Sequence, residues 1–333
     1  MPSTETLAQL SDNLVYSAIA VYVLAMLAYA ALSARRTAGV GDTGAAPAER
    51  AVAVATGASR VPSSDGSSRG QVEDGSAAGP ATGSDGDRLA AIAAALTILG
   101  FGLHLLGVLA RGLAAGRAPW GNMYEFAVVA ALTATGAFLV FLRREPVRAL
   151  GVWITALVVL TLGLAVTVLY TPAGALVPVL NTYWLVIHVA AAITAGGVFT
   201  VSFVATALYR VKLRAERAAR ESRRYAGHLP SSDALNRVSH TAVLFAFRIW
   251  TFAVIAGAIW AENSWGRYWG WDPKETWAFI TWVMYAAYLH AEATAGWRGT
   301  KASWFSLLGY AAFIFNFFGV NMWITGLHSY AGL

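Results

Sequence analysis

Long apolar runs recur along the chain and are separated by short polar or charged stretches. A membrane-spanning helix needs about 20 predominantly apolar residues, and the runs of this length predict about eight such helices. They cover residues 14–33, 89–110, 122–142, 149–170, 184–209, 241–260, 274–294 and 304–325. The pattern therefore predicts an all-α polytopic membrane protein.

The composition between these runs divides the chain into three parts. Residues 1–33 are predicted to be an N-terminal transmembrane anchor, because Arg35 and Arg36 follow the apolar run and no basic region precedes it, unlike in a signal peptide. Residues 34–88 are rich in Gly, Ala, Ser and Asp, a composition that buries too little apolar surface to fold, so they predict a disordered cytoplasmic linker. Residues 89–333 are predicted to form a seven-helix membrane domain, with an outer loop at 261–273.

Overall composition agrees with a bilayer protein. Hydrophobic residues make up 57% of the chain and charged residues only 13%, whereas about 25% is usual for soluble domains. The chain contains no cysteine. This excludes a disulfide scaffold, a thiolate metal site, an iron–sulfur cluster and a thiol nucleophile within the chain itself.

Basic residues predict the orientation, since Lys and Arg near span ends stay on the cytoplasmic side. The loops 34–88, 143–148, 210–240 and 295–303 hold 6, 3, 8 and 2 of the 24 Lys and Arg residues. Both termini and the loop 261–273 are therefore predicted to face outward. We interpret the basic block after residue 209 as a stop-transfer signal next to membrane lipid, and we expect no nucleic acid partner.

Tryptophan is concentrated in one part of the sequence. Six of the 13 tryptophans lie within 23 residues: Trp260, Trp265, Trp269, Trp271, Trp277 and Trp282. An interfacial aromatic belt is the alternative explanation, but a belt spreads its tryptophans over many spans. The density in and around the outward loop 261–273 indicates an apolar platform for a large planar ligand.

The end of this loop carries a helix-start signal. Asp272, Pro273 and Glu275 have the spacing of an N-cap, a first helical position and a capping-box partner. The pattern predicts that the next helix begins here and anchors the platform. A ligand role for Asp272 remains equally open.

Two histidines are predicted at the same outer depth as the tryptophan loop. His188 lies about one turn inside its span, and His328 follows the last span. Two imidazoles beside an aromatic surface suit an iron porphyrin, which takes one axial nitrogen on each face. Zinc would need a third or fourth ligand. For each histidine a hydrogen bond to a neighbouring helix is the simpler alternative.

Other polar side chains fall inside the predicted spans. His290 lies about 25 Å from Pro273 along its helix, so it either packs in the core or belongs to a second, inner site. His104 is at a different depth, and packing is the favoured explanation.

Arg248 is the basic residue that lies within a span interior. It is expected to snorkel, to pair across helices with Glu125 or Glu292, or to meet an anionic ligand group.

Several segments together resemble one known family. Residues 260–277 (WAENSWGRYWGWDPKETW) resemble the tryptophan-rich WWD motif of the haem-handling membrane proteins of cytochrome c biogenesis, of the CcsA/ResC type, often labelled CcsB in bacteria. Residues 116–125 are similar to the segment after the family's second span, and residues 184–188, 288–290 and 326–330 to its histidine segments. The resemblance covers about residues 90–333.

The resemblance implies roles for particular residues. His188 and His328 correspond to the external axial ligands of haem, and His290 to a membrane-embedded histidine at an inner entry site. The residues around the ring are implied to be Trp265, Trp269, Trp271 and Asp272. The second inner ligand is implied to come from a Ccs1/ResB-like membrane protein, with His104 as an open alternative.

The resemblance also implies a function. The chain is expected to lie in the plasma membrane of a bacterium, to transport haem b (iron protoporphyrin IX) as its substrate, and to present it to the Cys-x-x-Cys-His segment of apocytochrome c. It would act as a subunit of a system II cytochrome c haem-lyase (holocytochrome c synthase) complex, with no catalytic residue assigned. The alternatives are a haem exporter or chaperone that passes haem on, and a non-haem transporter or structural membrane protein.

Overall fold

The computed structural model of the chain describes residues 3–42, 82–144, 147–174, 182–218 and 229–328, and none of these residues lies in a strand. The helices are α1 (Thr4–Asp42), α2 (Thr82–Ala115), α3 (Met123–Arg144), α4 (Gly151–Thr167), α5 (Tyr183–Arg217), α6 (Ser232–Trp265), α7 (Pro273–Ala293), α8 (Ala302–Ile314) and α9 (Val320–Trp323). A π-helical turn, Phe315–Gly319, joins α8 to α9. The predicted all-α fold class is confirmed. Most of the predicted linker, residues 43–81, lies outside the described part.

Seven helical stretches of the described part are long and apolar enough to cross a membrane. They belong to α1 through α6 and to the continuous stretch Ala302–Trp323. The eighth predicted span, residues 274–294, forms α7, whose 21 residues include many Trp, Tyr and Thr side chains and charged groups near both ends. These side chains lower its hydropathy, so α7 has the length of a span without the uniform apolarity of the others.

Several helices extend beyond the apolar runs. α5 continues to Arg217 rather than ending near residue 209, and α6 begins at Ser232 rather than residue 241. Arg, Lys, Glu and Ala in the α5 extension are good helix formers, and Lys212 pairs with Glu216 one turn later at 4.0 Å. Hydropathy marks the part of a helix that suits a bilayer, whereas backbone hydrogen bonding continues into polar sequence.

The predicted loop 261–273 is shorter in the structure. α6 continues to Trp265, and Gly266 ends it in the left-handed conformation (φ 69°) that glycine adopts without a steric penalty. The next helix begins as predicted, because the Asp272 side chain caps it, Pro273 is its first residue and Glu275 completes a capping box. The connection is therefore only residues 266–272, held rigidly at both ends.

The helix α5 lies between two groups of helices. α1 packs on α2 and α4, α3 packs on α4 and α5, and α6 and α8 pack on α5 with α7 beside them. A Cβ added at Gly197 of α5 would lie 2.7 Å from the backbone nitrogen of Ala134 in α3, so only glycine allows this close approach. Phe199 of α5 stacks on Tyr285 of α7, with ring centroids 3.8 Å apart.

A buried ion-pair cluster ties the start of α3 to its neighbours. The Glu125 carboxylate is fully buried, pairs with Arg111 at the end of α2 (3.0 Å) and with Arg117 (2.6 Å), and accepts the Gly121 N–H (2.9 Å). Arg111 also donates to the Thr171 carbonyl beyond α4. Several donors thus satisfy one buried carboxylate, which fixes the ends of α2, α3 and α4 together.

Candidate functional site

A large cavity opens at the end of the bundle where the connection 266–272 lies. Its volume is about 1210 Å³ including the part open to solvent. Side chains from α3, α5, α6, α7, the π-helical turn and the chain beyond α9 line it, and most of them are aromatic or aliphatic. Known small-molecule sites are likewise concave and lined mainly by apolar and aromatic side chains. The lining therefore suits a mainly apolar ligand.

His188 lies in the second turn of α5 and lines this cavity. Its Nδ1 is 2.8 Å from the Ala253 carbonyl oxygen of α6. Because a carbonyl oxygen only accepts hydrogen bonds, Nδ1 carries the proton, and the lone pair of the ring lies on Nε2. Gly257, one turn after Ala253, makes room for the ring, since an added Cβ would lie 2.7 Å from His188 Cε1.

His328 lines the same cavity from the segment after α9. Its Nδ1 is 2.8 Å from Oδ2 of Asp272, and Oδ1 of Asp272 accepts the Leu327 N–H at 2.7 Å. A Cβ added at Gly326 would lie 2.7 Å from Asp272 Oδ1, so glycine permits this approach. The carboxylate that caps α7 therefore also orients His328.

Asp272 remains ionised in this position. Burial alone would raise the pKa of its carboxyl group, but hydrogen bonds from the His328 ring and from the backbone N–H groups of Leu327 and Lys274 outweigh burial and lower the pKa to about 2. An ionised carboxylate only accepts, so His328 donates from Nδ1, and in the neutral ring the lone pair lies on Nε2. Both cavity histidines are thus held through the same ring nitrogen.

Trp260 packs near both histidines and is 1% exposed. Its ring is parallel to the His188 ring (6.2 Å between centroids, 6° between planes) and lies 5.8 Å from the His328 ring. Trp265 packs edge-on against both Trp260 (4.8 Å) and His328 (5.1 Å). Both imidazoles therefore pack against tryptophan.

The remaining tryptophans of the predicted platform divide into two groups. Trp269 lines the cavity, whereas Trp271 lies outside the lining and is 65% exposed. Trp271 has a positive φ of 57°, which is rare for a bulky residue, and its ring packs edge-on against Trp269 at 5.7 Å. The structure therefore brings together His188, His328, Trp265, Trp269 and Asp272 from the predicted set, and places Trp271 beside them.

His290 and His104 lie elsewhere. His290 is exposed on α7 and does not line the cavity. His104 is fully buried, with its Nδ1 3.4 Å from the Tyr22 hydroxyl of α1. These two histidines occupy different environments, as their predicted depths suggested.

Neither carboxylate proposed for Arg248 pairs with it. Glu125 pairs with Arg111 and Arg117, as described above, and Glu292 pairs with Arg298 at 3.6 Å and accepts the Gly299 N–H. Arg248 itself is exposed on α6. Of the three alternatives for Arg248, the pairing with Glu125 or Glu292 is therefore wrong, because other basic groups pair with both carboxylates.

Other lining residues were not identified from the sequence. Trp250, Gly257, Lys274, Asn316 and Phe317 all line the cavity. Lys274 and Trp260 belong to the tryptophan-rich run and could have been chosen from it. The others come from apolar helix interiors, where nothing in the local pattern separates a cavity residue from a core residue.

A family model described as Cytochrome C assembly protein matches residues 120–328, which is more than half of the chain. The Cytochrome c biogenesis protein CcsA of Synechococcus elongatus is 34% identical over 272 residues, covering 68% of this chain and 82% of that protein. The CcsA protein of Chlamydomonas reinhardtii is 31% identical, covering 68% and 65%. That of Guillardia theta is 35% identical over 48% of this chain and 58% of its own length.

A solved structure, Cytochrome c Heme Lyase CcmF, has the same fold over 96% of this chain. The TM-score is 0.58 and the sequence identity 18%. The matched region is 47% of that protein, so this chain spans about half its length. The family assignment therefore rests on the sequence matches to the family model and to the CcsA proteins, not on the shared fold. The chain belongs to the cytochrome c assembly protein family.

Proposed function

We propose that this chain carries haem b across the membrane as its substrate and holds it at the cavity for attachment to apocytochrome c. Family membership gives the chain a role in cytochrome c maturation. The finer role, with haem as the ligand, rests on the chemistry of the cavity. The relatives are named as biogenesis proteins and the structural neighbour as a haem lyase, which agrees with that chemistry.

The observation that carries the proposal is the matched pair of cavity histidines. Each ring is held through Nδ1 by an oxygen acceptor, at 2.8 Å in both cases. Histidines that ligate metals are usually held in this way, with the second nitrogen hydrogen-bonded to a carbonyl or carboxylate. The lone pair of each neutral ring is then on Nε2, the atom that would bind the iron of haem.

The rest of the cavity fits a porphyrin. Four aromatic side chains of its lining, Trp260, Trp265, Trp269 and Phe317, offer aromatic surface to a conjugated ring. The chain has no cysteine, so none of its side chains competes with the thiols of the apocytochrome for the haem vinyl groups. The chain's contribution is positioning and electrostatics.

The attachment step itself is an addition. Each thiol of the apocytochrome Cys-x-x-Cys-His segment adds across one haem vinyl group, so a carbon–sulfur bond forms, the S–H bond breaks and its hydrogen is placed on the neighbouring vinyl carbon. Atoms and electrons balance without an external oxidant or reductant. The residues of this chain hold the ring in place until the histidine of the substrate replaces one of the two imidazoles.

An inner entry site at His290 is part of the proposal. His290 is exposed on α7, about 25 Å from the start of that helix at the cavity. His104 is fully buried against Tyr22 and so does not share a ligand with it. We therefore assign the second inner ligand to a Ccs1/ResB-like membrane protein, which would cover the exposed His290.

The visible absorption spectrum of the detergent-purified chain tests the proposal. Wild-type protein is expected to show a low-spin bis-histidine Soret band and sharp reduced α and β bands, and both His188→Ala and His328→Ala should weaken them. His240→Ala is the matched control, because His240 lies about 30 Å from Trp260 along α6. A colourless wild type, or spectra unchanged in both cavity variants, would overturn the ligand assignment.

A further inference from the structure

The cavity has a polar end in addition to its two histidines. Lys274, the second residue of α7, lines the cavity, and its Nζ lies 5.9 Å from the centroid of the Phe317 ring. No ion pair or hydrogen bond of the Lys274 ammonium group is found within the described part of the chain. Asp272 lies close enough to interact with Lys274 electrostatically but forms no direct ion pair with it. A buried ammonium group without a direct partner is costly unless a ligand supplies one.

The two carboxylates nearest in sequence serve other groups. Asp272 accepts from the His328 ring and from the backbone N–H groups of Leu327 and Lys274. Glu275 accepts the N–H groups of Gly270 and Asp272 through Oε2, and its Oε1 is 3.5 Å from Arg267. Both acids hold the connection 266–272 and the start of α7, which leaves Lys274 available to a ligand.

A second polar side chain lines the same cavity. Asn316 lies in the π-helical turn, is only 6% exposed, and its Oδ1 has no hydrogen-bond partner within the described residues. Single π-helical turns inside α-helices occur frequently at functional sites, because they re-aim side chains. The turn is supported by Asn321, whose side chain donates to the Phe317 carbonyl at 2.6 Å. The unpaired Oδ1 is an acceptor, whereas the Nδ2–H group of the same amide is the part of Asn316 that can donate to an anion.

We infer that Lys274 and Asn316 form an anion-binding end of the cavity that takes the carboxylate substituents of the planar ligand. This inference rests on the proposed function and extends it. The histidines would bind the metal, whereas Lys274 and Asn316 would bind the carboxylates at the edge of the ring. On haem the groups recognised are the propionates. A carboxylate supplies a direct ion-pair partner for the Lys274 ammonium group, and the Asn316 Nδ2–H group can donate a hydrogen bond to the same carboxylate.

The selectivity between haem and its dimethyl ester tests this inference, since the ester keeps the iron and the ring but removes both negative charges. Each ligand is titrated into the purified full chain, and affinity is read from the Soret band. Wild type should bind haem at least about tenfold more tightly than the diester, the loss expected for one hydrogen bond between charged groups.

Three variants separate a charge effect from a packing effect. Lys274→Met should bind haem only as tightly as it binds the diester, with the bis-histidine spectrum retained for both ligands. Lys274→Arg should keep most of the selectivity, and Asn316→Leu should lose part of it. Lys301→Met is the control, because Lys301 lies outside the cavity, exposed, and also packs near an aromatic ring, 5.0 Å from the centroid of Trp297.

The outcomes are distinct. Equal affinity of wild type for haem and for the diester would overturn the inference. An equal loss of affinity for both ligands in Lys274→Met would also overturn it. Neither result contradicts the proposed function. If Lys274→Met does not fold, the inference is still tested by the selectivity of wild type and of Lys274→Arg for haem over the diester. A wild type that binds neither ligand overturns the proposed function and this inference with it.

Discussion

Asp272 both caps α7 and orients the His328 ring, and two different substitutions can distinguish these contributions. It caps α7 through Oδ2 to the Lys274 N–H, and it orients the His328 ring. Asparagine is as good an N-cap as aspartate, but it lacks the negative charge that keeps His328 protonated on Nδ1. Asp272→Asn therefore tests the orientation of His328, whereas Asp272→Ala removes the cap as well.

We predict that Asp272→Asn lowers haem affinity about 10- to 100-fold, as is typical when the hydrogen-bond partner of a metal-ligating histidine is lost. Asp272→Ala should show the same loss and a lower melting temperature. Haem titration and thermal unfolding in detergent measure the two effects. Wild-type haem affinity in Asp272→Asn would contradict the orienting role.

The pKa of Asp272 sets the pH range of its contribution to stability. Because the pKa is lowered from its ordinary value of 3.8 to about 2 on folding, the ionised form stabilises the fold at pH values above about 4, and this contribution is lost as the pH falls through about 2. The stability difference between wild type and Asp272→Asn that arises from this carboxylate should therefore shrink as the pH is lowered from 4 toward 2.

Contacts between neighbouring helices decide where His188 lies. The ring reaches from α5 to the Ala253 carbonyl of α6, and the missing side chain of Gly257 gives it the space to do so. The ion-pair cluster at Glu125 similarly fixes the ends of α2 and α3 at the rim of the same end of the bundle. The site thus depends on a few close helix contacts rather than on the loop alone.

We predict that Gly257→Ala displaces the His188 ring, because the new methyl group would lie 2.7 Å from two ring atoms. Overpacking of this kind costs about 1–3 kcal/mol, and here the bis-histidine spectrum should also weaken. Gly163→Ala in α4 is the control, since nothing lies within 4 Å of its added Cβ. It should keep the spectrum and stability of wild type. An intact spectrum in Gly257→Ala would mean that the α5–α6 contact relaxes.

Orientation in the membrane follows from the distribution of charge over the assembled bundle. The basic ends of α5 and α6 lie at the opposite end of the bundle from the cavity, where the connection 266–272 lies. Positive residues are retained on the cytoplasmic side. The cavity is therefore expected to open on the outer face, where apocytochrome thiols would reach it.

Labelling of single cysteines tests this orientation, and the cysteine-free chain makes the experiment simple. Tyr268→Cys lies in the connection and is exposed, and Glu216→Cys lies in the exposed basic end of α5. We predict that a membrane-impermeant maleimide labels Tyr268→Cys in intact cells and labels Glu216→Cys only after permeabilisation. The reverse pattern would place the cavity on the cytoplasmic side.

The helices, their order and the start of α7 could be predicted from the sequence because they depend on local properties. Apolar run length and capping residues act over a few positions, so the all-α fold and the capping box at Asp272 were confirmed. Helix ends were less accurate, as at Trp265, because hydropathy reports on the bilayer and helices continue beyond it. The tryptophan density and the two histidines pointed to the end of the bundle where the cavity lies, and their role there stays a prediction.

The composition of the cavity depended on how the helices pack. Lys274 and Asn316 line one cavity although they belong to different helical segments. The Gly257 contact and the pairing of Glu125 likewise join residues from separate helices. The apolar pattern of a segment reports its preference for membrane or water, whereas a site assembled from several helices depends on packing distances between segments.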